Sequence, residues 1–272
     1  MVPVSSMITM ALCAVIGFAV PVAIAWWMAK KYKNSLYTIL VGAGVFIVFA
    51  LLLEPILHQV VLKGPHGPAI MGNTLYYALY GGLAAGLFEE TGRILAMKYL
   101  LKKKSPKAKT AVAYGIGHGG IEMLLIFGVT MISNLVLSVM INNGQADTLL
   151  ATAPEMAKEQ VQAQFTQLQT NGAGKYLFGI WERFSALILQ IGLSLMVWTA
   201  VRKGGKWLWL FPAAIFLHFA VDACCVLLMK SVSMAIVETF VSAFAIAVGA
   251  IGFMLAKKLN EDPANWLTTE RH

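Results

Sequence analysis

Residues 81–101 read GGLAAGLFEETGRILAMKYLL. Two adjacent carboxylates, Glu89 and Glu90, and the guanidinium of Arg93 lie inside an otherwise apolar run. A helix that crosses a bilayer needs about 20 such residues. It has no structural need for three charges, and each ionisable group at that depth is expensive. The stretch therefore sets two expectations: a membrane-spanning helix, and a polar site built on it.

The rest of the chain carries the same signature. Of its 272 residues, 58% are hydrophobic and 12% charged. Ordinary soluble domains carry about 25% charged residues. The apolar blocks are long and do not alternate, which excludes a transmembrane β-barrel. The expected fold is all-α: a polytopic transmembrane helix bundle forming one integral-membrane domain over residues 1–272. Seven spans are expected at about 5–29, 36–62, 72–101, 110–140, 176–201, 207–229 and 232–256. The first block lacks a basic n-region and is too long for a signal-peptide core, so it reads as a retained span.

The net charge is +8. Its placement points to a membrane and away from nucleic acid, because the basic residues sit in short loops. Thirteen follow spans one, three, five and seven: Lys30, Lys31 and Lys33; Lys102, Lys103, Lys104, Lys107 and Lys109; Arg202, Lys203 and Lys206; Lys257 and Lys258. Four lie in the alternate connections: Lys63, Lys158, Lys175 and Lys230. The positive-inside rule then places the N-terminus outside and the C-terminus in the cytoplasm of a multi-pass cell-membrane protein. Trp26, Trp27, Trp207 and Trp209 fall at span ends and read as interfacial anchors.

The long outer loop, about 141–175, is Gln-rich, and Pro154 can open a helix through Gln169 with Met156, Val161, Phe165 and Leu168 as an apolar stripe. It could lie on the bilayer or cover the bundle, and a solvated loop is an equal expectation. The cysteines, Cys13, Cys224 and Cys225, show no CxxC spacing and read as small core residues.

Depth along each helix selects the site candidates. Counted from the cytoplasmic end, Glu89 and Glu90 lie about 17 Å deep and Arg93 about 12 Å. His118 lies about 12 Å deep, Glu122 about 18 Å, His218 about 16 Å and Asp222 about 22 Å. Three helices thus place polar groups in one slab. Glu54, His58, Glu182 and Glu238 fall nearer the outer face, and Glu182–Arg183 reads as an interfacial ion pair. Spacing adds a second constraint: Glu89–Arg93, His118–Glu122 and His218–Asp222 are each i, i+4 and Glu90–Arg93 is i, i+3, so either glutamate can share a helix face with Arg93. A carboxylate beside an imidazole fixes its tautomer. The glycines of GIGHGG, 115–120, let backbones approach, or leave space around His118 for water or a substrate backbone.

These residues resemble the CAAX-protease and bacteriocin-processing superfamily of glutamic intramembrane proteases, within it the YhfC-type branch. "EETGR" stands for the superfamily's paired glutamates and arginine, "YGIGH" (Tyr114 to His118) for its aromatic-x-x-x-His, and "HFAVD" (His218 to Asp222) for its HxxxN. Two departures stand out: the spacing is EExxR where EExxxR is usual, and Asp222 replaces asparagine.

The resemblance implies an intramembrane endopeptidase acting near the cytoplasmic side on a membrane-associated peptide or protein. Glu89 would activate water, assisted by Glu90 and supported by Arg93. His118 and His218 would donate to the oxyanion. Asp222 would orient His218 or a water, Glu122 would orient His118, and Tyr114 is the motif aromatic. No metal is required in that reading. The alternatives are a zinc protease using the same histidines and carboxylate, a polytopic transporter, and a non-catalytic immunity or receptor protein on the same scaffold.

Overall fold

The computed structural model describes residues 1–105 and 107–257, apart from the side chain of Met156; Lys258 of the basic tail lies outside the described residues. Among them are ten helices and no strand. In chain order these are α1 (Val4–Lys31), α2 (Ser35–Leu62), the short α3 (Gly67–Gly72), α4 (Thr74–Leu95), α5 (Ala108–Asn142), α6 (Ala146–Thr152), α7 (Glu155–Thr170), α8 (Ala173–Lys203), α9 (Leu210–Leu228) and α10 (Met234–Lys257). The protein is an all-α, multi-pass membrane protein. Six helices are long and apolar enough to cross a membrane: α1, α2, α5, α8, the segment Gly205–Leu228 containing α9, and α10. The remaining expected span, 72–101, is α4. It has the expected extent, running 22 residues and then five more as a π turn, Ala96–Leu100. Its charges set it apart from the other six.

Two compact units make up the chain. The first comprises Met1–Pro21 and Met123–Arg183. Its core gathers Val2, Met10, Cys13, Phe127, Phe165, Leu168 and Tyr176. Phe165 and Leu168 bring α7 into that core with the half-buried Val161 packed beside them, so these three members of the expected apolar stripe face inward; the fourth, the Met156 side chain, lies outside the described residues. Pro154 stands immediately before α7, where its missing N–H costs nothing. Arg183 pairs with its neighbour Glu182.

The second unit, Val22–Glu122 with the chain from Phe184 onward, holds every candidate site residue. Two segments form its centre. Every residue from Ala108 to Gly120 of α5 is buried, and most of α8 from Leu187 to Ala200 is buried as well. A helix buried on all sides needs small side chains on the faces where other helices cross it. A Cβ on Gly117 would stand 1.9 Å from the carbonyl oxygen of Ile39, and one on Gly42 would stand 2.2 Å from that of Tyr114. Those two glycines are what let α2 and α5 touch backbone to backbone. On α4, Gly82 and Gly86 do the same against Phe219 and Ile215 of α9. GIGHGG therefore serves packing: Gly115 and Gly119 face Ile191 and Gln190 of α8, and His118 is fully buried. Among the described residues the three cysteines form no disulfide.

Candidate active site

Glu89 and Glu90 are consecutive on α4, so their side chains leave the helix about 100° apart. Each reaches a different histidine on a different helix. Nε2 of His118, on α5, stands 2.8 Å from Glu89 Oε2. Nδ1 of His218, on α9, stands 2.9 Å from Glu90 Oε1. These contacts assign the Nε2–H tautomer to a neutral His118 and the Nδ1–H tautomer to a neutral His218. The His118 ring is clamped between Tyr114, stacked at 5.8 Å, and Phe46, edge-on at 5.2 Å. Its Nδ1 has no hydrogen-bond partner.

Arg93 is fully buried, one turn beyond Glu90. Its Nε pairs with Glu90 Oε2 at 3.1 Å. Its Nη1 donates to the backbone oxygen of Gln190 at 2.7 Å and to Ser194 Oγ at 2.6 Å, and its Nη2 donates to Gln190 Oε1. The shortened EExxR spacing thus directs the guanidinium to the second glutamate and to α8. A desolvated arginine is tolerable when its donors are met in this way.

Gln190 is the residue that the sequence reading missed. While its oxygen accepts from Arg93, its Nε2 donates to Glu89 Oε2 at 3.0 Å and to Glu122 Oε2 at 3.1 Å. An amide carries a donor and an acceptor on one side chain, so it can join a cation to two anions without adding charge. The available signal was an amide in the apolar run ALILQIGLSL, 186–195, with Ser194 one turn on.

Two expected relationships, those of Glu122 and Glu54, are corrected, and of the two roles expected for Asp222, orienting His218 or a water, the distance to His218 leaves the second. Glu122 is engaged by Gln190, while His118 is oriented by Glu89 across helices. Glu90 holds His218 and Arg93; Asp222 Oδ2 stands 3.7 Å from His218 Nε2, beyond hydrogen-bonding distance. Glu54, set apart by depth, is buried and lies within electrostatic reach of Glu89, His218 and Asp222. A π segment, Ile47–Leu53, directly precedes it, and Pro55 follows. Proline cannot donate to the residue four back, so a bulge at this point is expected, and it changes which face the next residue takes.

Glu54 begins a polar annex. Its Oε1 stands 3.2 Å from His58 Nε2, and His58 Nδ1 stands 2.8 Å from Tyr80 Oη. His58 and Tyr80 line a cavity of about 200 Å³ that Asp222 also lines. Asp222 thus belongs to both: its side chain is 41% exposed, and it faces His218 Nε2, which is itself 3.9 Å from Glu89 Oε2. Glu89, His218 and Asp222 can therefore surround one water or one substrate oxygen. Among the described residues, no three of His, Cys, Asp or Glu already stand as a metal-binding group.

A family model described as "YhfC intramembrane metalloprotease" matches residues 16–241. A curated relative, the "Uncharacterized membrane protein YhfC" of Bacillus subtilis (strain 168), is 36% identical over 224 residues, covering 82% of this chain and 86% of the relative. No solved structure matches the chain. The family description names a metal where the resemblance to glutamic proteases implies none, so the zinc alternative gains weight.

Proposed function

The chain belongs to the YhfC family, and on that premise we propose that it is an intramembrane endopeptidase whose reaction centres on Glu89, His118 and His218. The observation that carries this reading is the crossed pairing: two adjacent buried glutamates, each holding a histidine from a separate helix. Packing alone has no use for that arrangement. A hydrolytic site needs a base fixed before substrate arrives; in the neutral tautomers both histidine N–H groups are spent on the glutamates, so the oxyanion donor in this reading is Nε2–H of a doubly protonated His218.

In the glutamic form of the reading, Glu89 takes a proton from a water lying beside His218 Nε2 and Asp222. The hydroxide adds to the peptide carbonyl. Glu89 then passes the proton to the departing nitrogen as the C–N bond breaks. His118 and Gln190 hold the Glu89 carboxylate in place, and Arg93 with Glu90 fixes His218. Membership of the wider glutamic superfamily rests on the three motifs quoted above.

A second reading is favoured by the family description and by the donors themselves. Two imidazoles and a carboxylate, meeting at Nε2 of His118, Nε2 of His218 and Glu89, are the ligand types of catalytic zinc. These residues suit such an ion in kind, with Asp222 beside His218. When bound it would polarise the carbonyl and acidify a water.

Comparative membrane proteomics of wild type against Glu89→Gln tests the function. The expected result is at least one membrane protein that loses a cut while the variant accumulates normally. Unchanged cleavage in Glu89→Gln would end the assignment. Elemental analysis of purified protein, with chelator sensitivity of the cleavage so found, separates the two forms: stoichiometric metal and chelator loss select the second.

A further inference from the structure

A second built cavity lies at the α1–α2 and α4–α5 connections. Its volume is about 330 Å³, within the range of small-ligand sites. Four lysines line it: Lys33, Lys103, Lys104 and Lys109. Among the described lining residues none is acidic. Lys109 is 8% exposed, an unusual state for a lysine in a loop-proximal turn.

The backbone adds to this field. Helices α2 and α5 both begin at the cavity, at Ser35 and Ala108, and neither has an acidic residue in its first turn. Helix N-termini carry partial positive charge and favour anions. Asn34, in the left-handed conformation (φ 69), precedes α2 without a side-chain cap. A different kind of observation comes from Tyr32. It lines the cavity, is 2% exposed, and its hydroxyl has no hydrogen-bond partner. Burial pushes its phenol up from the ordinary value, so it remains a donor. A basic loop that only orients a membrane protein needs exposed lysines. It needs neither a concavity, nor a buried lysine, nor a buried donor left unmet.

We infer that this cavity binds a phosphate-bearing anion, of the kind presented by an anionic lipid headgroup or by free inorganic phosphate. Basic pockets between membrane helices on the cytoplasmic side suit lipid phosphates, and the positive-inside orientation puts the cavity on that side. The inference is independent of the peptidase reading.

The test uses the full-length purified protein, followed by tryptophan-fluorescence melting. One arm titrates inorganic phosphate against chloride at equal ionic strength. The other compares nanodiscs of phosphatidylcholine with and without phosphatidylglycerol. Wild type is expected to gain melting temperature in at least one arm. The concentration for half the effect should rise at least tenfold in the Lys103→Gln/Lys104→Gln double variant. It should rise about threefold in Tyr32→Phe, which keeps the ring and loses the donor. Lys206→Gln, outside the cavity, should match wild type. A response to phosphate assigns the free ion, and a response to phosphatidylglycerol alone assigns the lipid. No response in either arm overturns the inference, as does the same response in Tyr32→Phe and the double variant as in wild type. If the lysine variant does not fold, Tyr32→Phe decides.

Discussion

At Gln190 a single amide faces a guanidinium with its oxygen and two carboxylates with its nitrogen. Replacing it by leucine keeps the volume and removes both roles, leaving Arg93 Nη2 without this acceptor and the carboxylates of Glu89 and Glu122 each without this donor. The expected loss is about 3 kcal/mol, read as a lower melting temperature in detergent, with cleavage reduced at least as strongly as in Glu122→Gln. Equal stability of Gln190→Leu and wild type would show that the amide is a bystander. Arg93→Ala strands Glu90 inside a dry core and should cost about 3–5 kcal/mol. Arg93→Lys should not restore what is lost, because an ammonium cannot reach Glu90, Gln190 and Ser194 in one fork. At this scale the sequence was only partly informative. The titratable residues were found because charge in an apolar run is conspicuous. Spacing along one helix allows the Glu90–Arg93 pair, which is present, but it marks only who is near on that helix, while His118 and His218 bond across helices. Gln190 was passed over because it has no charge to notice.

Helices were far more legible. Each of the seven expected spans has a helix within a few residues of it, because long apolar blocks leave little freedom about where a bilayer-crossing segment runs. Depth counting was less secure. It assumes straight helices standing upright, and the π segment before Glu54 breaks that assumption. Glycine substitution tests the packing directly. Gly117→Ala should lower folded yield sharply, since the new Cβ would meet the Ile39 carbonyl at 1.9 Å and backbone cannot yield cheaply. Gly81→Ala on α4 meets nothing within 4 Å, and should be neutral or slightly stabilising, by up to about 1 kcal/mol. A melting-temperature comparison of the two variants suffices; equal behaviour would refute the close α2–α5 contact as a stability determinant.

For the whole molecule, orientation and the crossing of α4 are testable together. Single cysteines are introduced at Lys63, Lys103 and Asp147 after Cys13, Cys224 and Cys225 are replaced by alanine. An impermeant maleimide should label positions 63 and 147 in intact cells and position 103 only after permeabilisation. Labelling of 63 and 103 from the same side would mean that α4 does not cross. The long apolar surfaces are consistent with a lipid setting: Trp26, Trp209, Leu40, Phe216 and Ile246 are among many large side chains left exposed, and Lys30 lies over the Trp26 ring at 4.1 Å.

The adjacency of Glu89 and Glu90 has a mechanical side. Because their side chains diverge by about 100°, α4 is tethered to α5 through one and to α9 through the other. Turning α4 about its axis to shorten either tether lengthens the other, so one angle alone satisfies both. The pair works as an alignment gauge: any rotation of α4 would be registered at both histidines at once.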